Sequence, residues 1–214
     1  MVQAAPHSAS VDPADVARFN AENGLDDPLF QQYIRSIRRL FTLDFGDSYR
    51  TGGAVVDLLL PALGRSAKLA LLAFIITVPL SIAAGVFAAR RQGKLSDRAV
   101  VYTGLASSSI PEFVFASLLL SVFAVKLKIG KVYANVPDGT SLIGQLEYLL
   151  LPAMALVFAY FGYIARMTRA GVINGLAADY TRTATMKGLG PSAVMRRHVM
   201  RNAMAPTITV ISVQ

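Results

Sequence analysis

Side chains able to run a reaction are scarce in this 214-residue chain, and those present are scattered. There is no cysteine, which excludes thiolate nucleophiles, thiolate metal sites and disulfides. The two histidines, His7 and His198, lie far apart with no ligand cluster near either, so a metal site built by this chain is not expected. No nucleophile, base and orienting residue form a recognisable set. A Gly-x-x-x-x-Gly-Lys-Ser/Thr loop is also missing, and Gly93-Lys94 and Gly130-Lys131 lack the upstream glycine. The chain is therefore not expected to be an enzyme, nor to bind ATP or another cofactor itself.

Two features remain that could do physical work. Glu112 is the one acid inside an apolar stretch, following Ser107-Ser108-Ser109-Ile110-Pro111. A carboxylate at membrane depth is expensive and marks a functional candidate, here a solute or ion contact with Ser109 and Pro111 beside it. The plainer reading is a carboxylate paired inside a helix bundle or set near a water-filled cavity. The second feature is the basic run from Ala178 to Pro206. Gly188, Gly190 and Pro191 split it into two short helices. Leu176, Tyr180, Thr183 and Ala184 are expected to share a face of the first, with Asp179, Arg182 and Lys187 on other sides. In the second, Met195, Val199 and Ala203 recur every four residues, opposite Arg196, Arg197, His198 and Arg201. Neither helix can bury enough surface alone, and a short helix between tight turns suits the groove of another protein.

The elements that position these features read as membrane spans. Hydrophobic residues make up 54% of the chain and charged ones 16%, against about a quarter in soluble domains. Leu69 to Ala89 carries no charge over 21 residues, enough to cross about 30 Å of hydrocarbon. Ala73, Thr77, Ser81, Gly85 and Ala89 line one face of it, where a second helix can approach closely. Pro79 is expected to kink this span. A second span covers 99–125, broken at Pro111, and a third 148–165, with Pro152 in its first turn. Residues 205–214 begin another span, about half a crossing long. The resulting fold class is an all-α, multi-span membrane protein.

Residues 1–62 are polar, with eight acids and five Lys or Arg, and hold two amphipathic stretches, Asp12 to Asn23 and Asp27 to Leu43. Asp12-Pro13 reads as a cap followed by a first-turn proline. Basic residues cluster in the 90–98 loop and in 166–204, which places both in the cytoplasm and residues 1–62 and 126–147 outside. Lys126, Lys128 and Lys131 are an exception on the outer side. The charge thus reads as topology against a lipid bilayer. No aromatic-interleaved basic patch argues for nucleic acid.

Asp179-Tyr180-Thr181-Arg182-Thr183-Ala184-Thr185-Met186-Lys187-Gly188, with Arg197-His198, Arg201-Asn202 and Pro206 after it, resembles the coupling loop of binding-protein-dependent ABC-importer permeases. Arg182-Thr183-Ala184 stands in the Glu-Ala-Ala place of that loop, and Gly188 is its glycine. The Arg-His-x-x-Arg-Asn run resembles the dipeptide, oligopeptide and nickel group. Gly24-Leu25-Asp26-Asp27-Pro28 and Asp44-Phe45-Gly46-Asp47-Ser48 resemble the external segment of the first of its two sibling permeases. Ser109 to Phe113, Leu151-Pro152-Ala153 and Arg166 to Arg169 resemble its third and fourth helices.

The resemblance implies an inner-membrane transmembrane domain, with 63–214 as the permease domain, a coupling loop at 170–204 and helices missing at both ends. It implies an ATPase subunit that carries ATP and Mg, a sibling permease and an extracytoplasmic solute-binding protein as partners. Peptides, nickel or related solutes would be the cargo. Ala184 and Gly188 would allow close packing in the ATPase groove. The competing readings are an ion-gradient-driven transporter or channel using Glu112, and a membrane anchor with no transport pathway.

Overall fold

A computed structural model describes residues 13–48, 50–131, 136–137 and 139–213. The chain divides into two compact units, Met1–Leu63 and Gly64–Gln214. The first holds α1 (Pro13–Asn23) and α2 (Leu29–Phe41). The Asp12 cap expected for α1 lies outside the described residues. A turn between Asp47 and Ala54 leads into α3 (Val55–Arg90).

The second unit is helical throughout its described elements. The end of α3 is followed by α4 (Leu95–Ser109), α5 (Glu112–Leu119), a π-helical stretch (Leu120–Lys126) and α6 (Leu142–Ala177). Then come α7 (Asp179–Met186), a single turn α8 (Pro191–Val194), a second π-helical stretch (Met195–Val199) and α9 (Met200–Val213). By length and apolarity two helices can cross a membrane, α3 and α6, or three if α4 and α5 count as one broken span.

Helix α6 is the hub, and small residues let its neighbours approach. A Cβ on Gly162 would fall 2.2 Å from the Gly104 carbonyl oxygen of α4. A Cβ on Gly171 would fall 2.6 Å from the Ala203 carbonyl oxygen of α9, and one on Gly85 2.6 Å from that of Ala165. In an apolar solvent such backbone approach, not hydrophobic burial, holds helices together. The α3 stripe is buried as its spacing requires, at Ala73, Thr77, Ser81, Gly85 and Ala89. Phe115 stacks on Phe158 at 3.6 Å between centroids, fastening α5 to α6. The Thr168 and Thr207 hydroxyls meet at 3.3 Å between α6 and α9.

Several boundaries differ from the sequence expectation. Helix α3 begins at Val55 and continues through Pro61 and Pro79 to Arg90; Arg65 and Lys68 are good helix formers that end the apolar stretch without ending the helix. Helix α6 starts at Leu142, where the Ser141 Oγ accepts from the Gly144 N–H. Pro152 therefore sits inside the helix, not in its first turn. At about 1.5 Å per residue, the 36 residues of α6 run about 54 Å, well beyond a hydrocarbon core. Residues 170–177, assigned from charge to the loop, belong to α6. The expected second span is an elbow, with α4 and α5 meeting at 102°. Pro111 forces the cause locally: it disfavours αR geometry at Ile110, which is extended at φ −91, ψ 124. Finally, residues 191–213 are continuously helical through Pro206, so the helix that carries the apolar stretch from 205 begins at Pro191.

Candidate functional site

The basic segment folds back on its own membrane domain. Ala89, Val172, Ala184, Val194, Met195, Val199 and Ala203 form one buried cluster, drawn from α3, α6, α7 and the helix that follows Pro191. Met195, Val199 and Ala203 supply its inner stripe, in agreement with their four-residue spacing.

Helix α7 is pinned to this cluster by one face. Thr181 donates its hydroxyl to the Gly175 carbonyl at 2.6 Å, and Ala184 is only 2% exposed. The buried face is thus Thr181 and Ala184, not the expected set of Tyr180, Thr183 and Ala184; Thr183 is exposed. Leu176 belongs to α6 and is also exposed. Ala184 presents no surface to a second protein, which corrects its expected place in a partner's groove. The helix ends at Gly188, whose φ of +82° is the left-handed geometry that glycine adopts without a steric penalty. Its N–H reaches the Thr185 carbonyl at 3.0 Å, and Leu189 reaches Ala184 at 3.3 Å.

The opposite face of α7 is open. Asp179, Arg182, Thr183 and Lys187 are exposed, Tyr180 projects partly, and Met186 is 74% exposed. Arg197, Arg201, Asn202 and Pro206 are exposed on the following helix, and His198 is half-buried. Asn202 donates to the His198 carbonyl at 3.1 Å. A bare methionine beside an arginine and a lysine is a mixed apolar and cationic surface, the composition that suits an adaptable protein contact.

The elbow residues are separate from this surface. Ser109 closes α4 with its hydroxyl on the Leu105 carbonyl at 2.9 Å. Pro111 precedes α5, and Glu112 is the exposed first residue of that helix. Among the described residues Glu112 has no ion-pair partner.

The buried acid is another one. Asp97, 3% exposed, receives Arg169 Nε at 2.5 Å and Nη2 at 2.8 Å, and the Gly93 N–H at 2.9 Å. This fork clamps the loop before α4 to α6. Sequence reasoning missed it, since Asp97 looked like one acid in a basic loop. The available signal was a lone acid facing several arginines. Arg166 was likewise read as topology. Its Nη2 donates to Ser108 at 3.2 Å, and its Nη1 is buried with no partner among the described residues. At the other end of α6, Lys131 pairs with Glu147 at 3.3 Å and Lys68 reaches Gln145 at 3.1 Å. Lys131, one of the outer lysines that departed from the charge rule, therefore has an acidic partner.

A bent span, glycine-spaced helices around one long hub and an exposed short helix docked on their core describe a helical membrane domain. Residues 81–214 match the family described as the binding-protein-dependent transport system inner membrane component. The chain belongs to that family and is a multi-pass protein of the bacterial inner membrane. A putative peptide transport system permease of Brucella abortus is 36% identical over 198 residues, covering 92% of this chain and 63% of the relative. The oligopeptide transport system permease OppB of Salmonella typhimurium is 35% identical over the same shares. The dipeptide transport system permease DppB of Bacillus subtilis is 37% identical over 188 residues, 87% of this chain and 58% of its own length. The chain thus spans somewhat under two thirds of these relatives.

Proposed function

We propose that the chain is the permease subunit of an ATP-driven importer and that the open face of α7 is where a separate ATPase subunit acts. The observation that carries this is the two-faced placement of α7. Thr181 and Ala184 tie it to the core, while Tyr180, Arg182, Met186 and Lys187 stay outside. A force applied to that face reaches α3, α6 and the helix after Pro191 through one packed cluster. ATP and Mg would be held by the ATPase, and the basic loops at 90–98 and around 179–204 would lie in the cytoplasm. A sibling permease and an extracytoplasmic binding protein would complete the transporter. The relatives' names favour peptides as cargo over a nickel chelate. Glu112 gives the ion-gradient reading little support, because it is exposed at the elbow and not set in a buried relay.

The test is ATPase recovery from gently solubilised membranes together with ATP-driven peptide uptake, using Met186→Glu combined with Arg182→Glu. Both residues are exposed, so the permease should insert and melt as wild type while losing ATPase and uptake. ATPase recovery and uptake equal to wild type would overturn the assignment.

A further inference from the structure

Helix α2 is the most sharply segregated element of the chain. At about 100° per residue, Leu29, Phe30, Tyr33, Ile34, Ile37, Leu40 and Phe41 fall within an arc of about 140°. The two glutamines, Ser36 and three arginines occupy the remainder, and the helix contains no acid. No residue of α2 is buried, and Phe30 and Phe41 are 74% and 82% exposed. Much of the polar side, in contrast, is held by its own flanking residues. Gln32 Nε2 donates to the Leu25 and Asp27 carbonyls at 2.8 and 2.7 Å, Arg35 pairs with Asp27, and Arg39 lies 3.8 Å from Asp44. These bonds fix which way the helix faces and leave its apolar arc uncovered.

We propose that α2 lies in the plane of the bilayer surface, with this arc among the acyl chains just below the headgroups. Three observations select lipid as the occupant. The arc is broad and aromatic, wider than the narrow seam of a helix pair. Arg38 borders it and has no acid within ion-pair distance among the described residues, so its guanidinium is free to rise to lipid phosphates while its stem stays in the apolar zone. Only 13 residues, Thr42 to Ala54, separate α2 from the membrane-length helix α3, which keeps it within reach of the bilayer. The segment that the sequence presents as soluble and external then acts as an interfacial anchor. The inference concerns lipid contact by this chain alone and does not rest on the transport reading.

The cysteine-free sequence makes the test clean. Single nitroxide labels are placed on Ile37→Cys and Gln31→Cys in the full chain, reconstituted into vesicles of phosphatidylcholine and phosphatidylglycerol. A label on Leu71→Cys, exposed on α3, reports in parallel that the chain has inserted and folded. Collision rates with oxygen, which concentrates in lipid, and with a water-soluble nickel chelate are compared. The Ile37 label should show an oxygen-to-chelate ratio several-fold above that of the Gln31 label, with labels on Ile34→Cys and Phe41→Cys following Ile37. Equal chelate access on both faces, with Leu71 reporting lipid, would place the helix in water and overturn the proposal. So would an Ile37 label shielded from both reagents, which would mean that protein covers the face.

Discussion

Replacing Asp97 with alanine is expected to loosen the whole α4–α6 pairing, and the structure sets the size of the effect. Removing one member of a buried ion pair strands the other and costs about 3–5 kcal/mol. Here the carboxylate side is 4% exposed and the Arg169 side 25%. A stranded Arg169 can turn partly to water, so the expected loss is about 2–3 kcal/mol. The Gly93 N–H adds little, because water can replace its acceptor in an exposed loop. For a chain of this size the loss corresponds to a melting shift of roughly 4–12 °C. Thermal melts followed by circular dichroism at the helix band, in one detergent, measure it. Replacing both partners by apolar residues, Asp97→Leu with Arg169→Met, should recover most of the loss, since the pair's attraction largely offsets its own desolvation. A shift for Asp97→Ala below about 0.5 kcal/mol, with no rescue by the double change, would mean a solvated surface bridge and would sink the clamp argument.

Gly162→Val should be worse tolerated than any exposed change, because a Cβ there meets the Gly104 backbone and the Ser107 hydroxyl at 2.2–2.5 Å; a destabilisation of at least about 1–3 kcal/mol is expected in the same melts. Ala184→Leu should lower the melting temperature through overpacking by about 1–3 kcal/mol, while Met186→Ala, on the other face of the same helix, should leave it unchanged. Gly188→Ala should cost about 1 kcal/mol for its left-handed backbone, and Gly188→Asn less, with no contact to blame since nothing lies within 4 Å of the added Cβ. Glu112→Gln should stay within about 0.5 kcal/mol of wild type, as an exposed residue without a partner in the described structure.

The sequence made the periodic features legible. The small-residue face of α3 and the Met195, Val199, Ala203 stripe are both buried as spaced, because a four-residue repeat has one physical meaning on a helix. Proline read less well. Pro111 marked a true break, but its size, a 102° bend, could not be read from the local residues. Pro152 looked like a helix start and is interior, because Ser141 supplies the cap eleven residues earlier. Asp97 was invisible as a buried group, since its partner Arg169 is 72 residues away. Ala184 is buried in the chain's own core. Local spacing could not tell whether its small size serves the chain's own core or a partner's groove.

The division of α7 into two faces has a bearing on how such a chain can change over time. Thr181 and Ala184 answer to the packing of this molecule alone, so their permitted replacements are set inside the subunit. Arg182, Met186 and Lys187 lie outside that packing, and Tyr180 touches it only with its hydroxyl end near Gly175. They can drift together with whatever protein meets them, without disturbing the membrane helices beneath. On the proposed reading, one ATPase motor can be exchanged for another by altering a handful of surface side chains on a single eight-residue helix. Grafting the outward residues of a related permease onto this α7 should therefore transfer motor preference and leave thermal stability where it was.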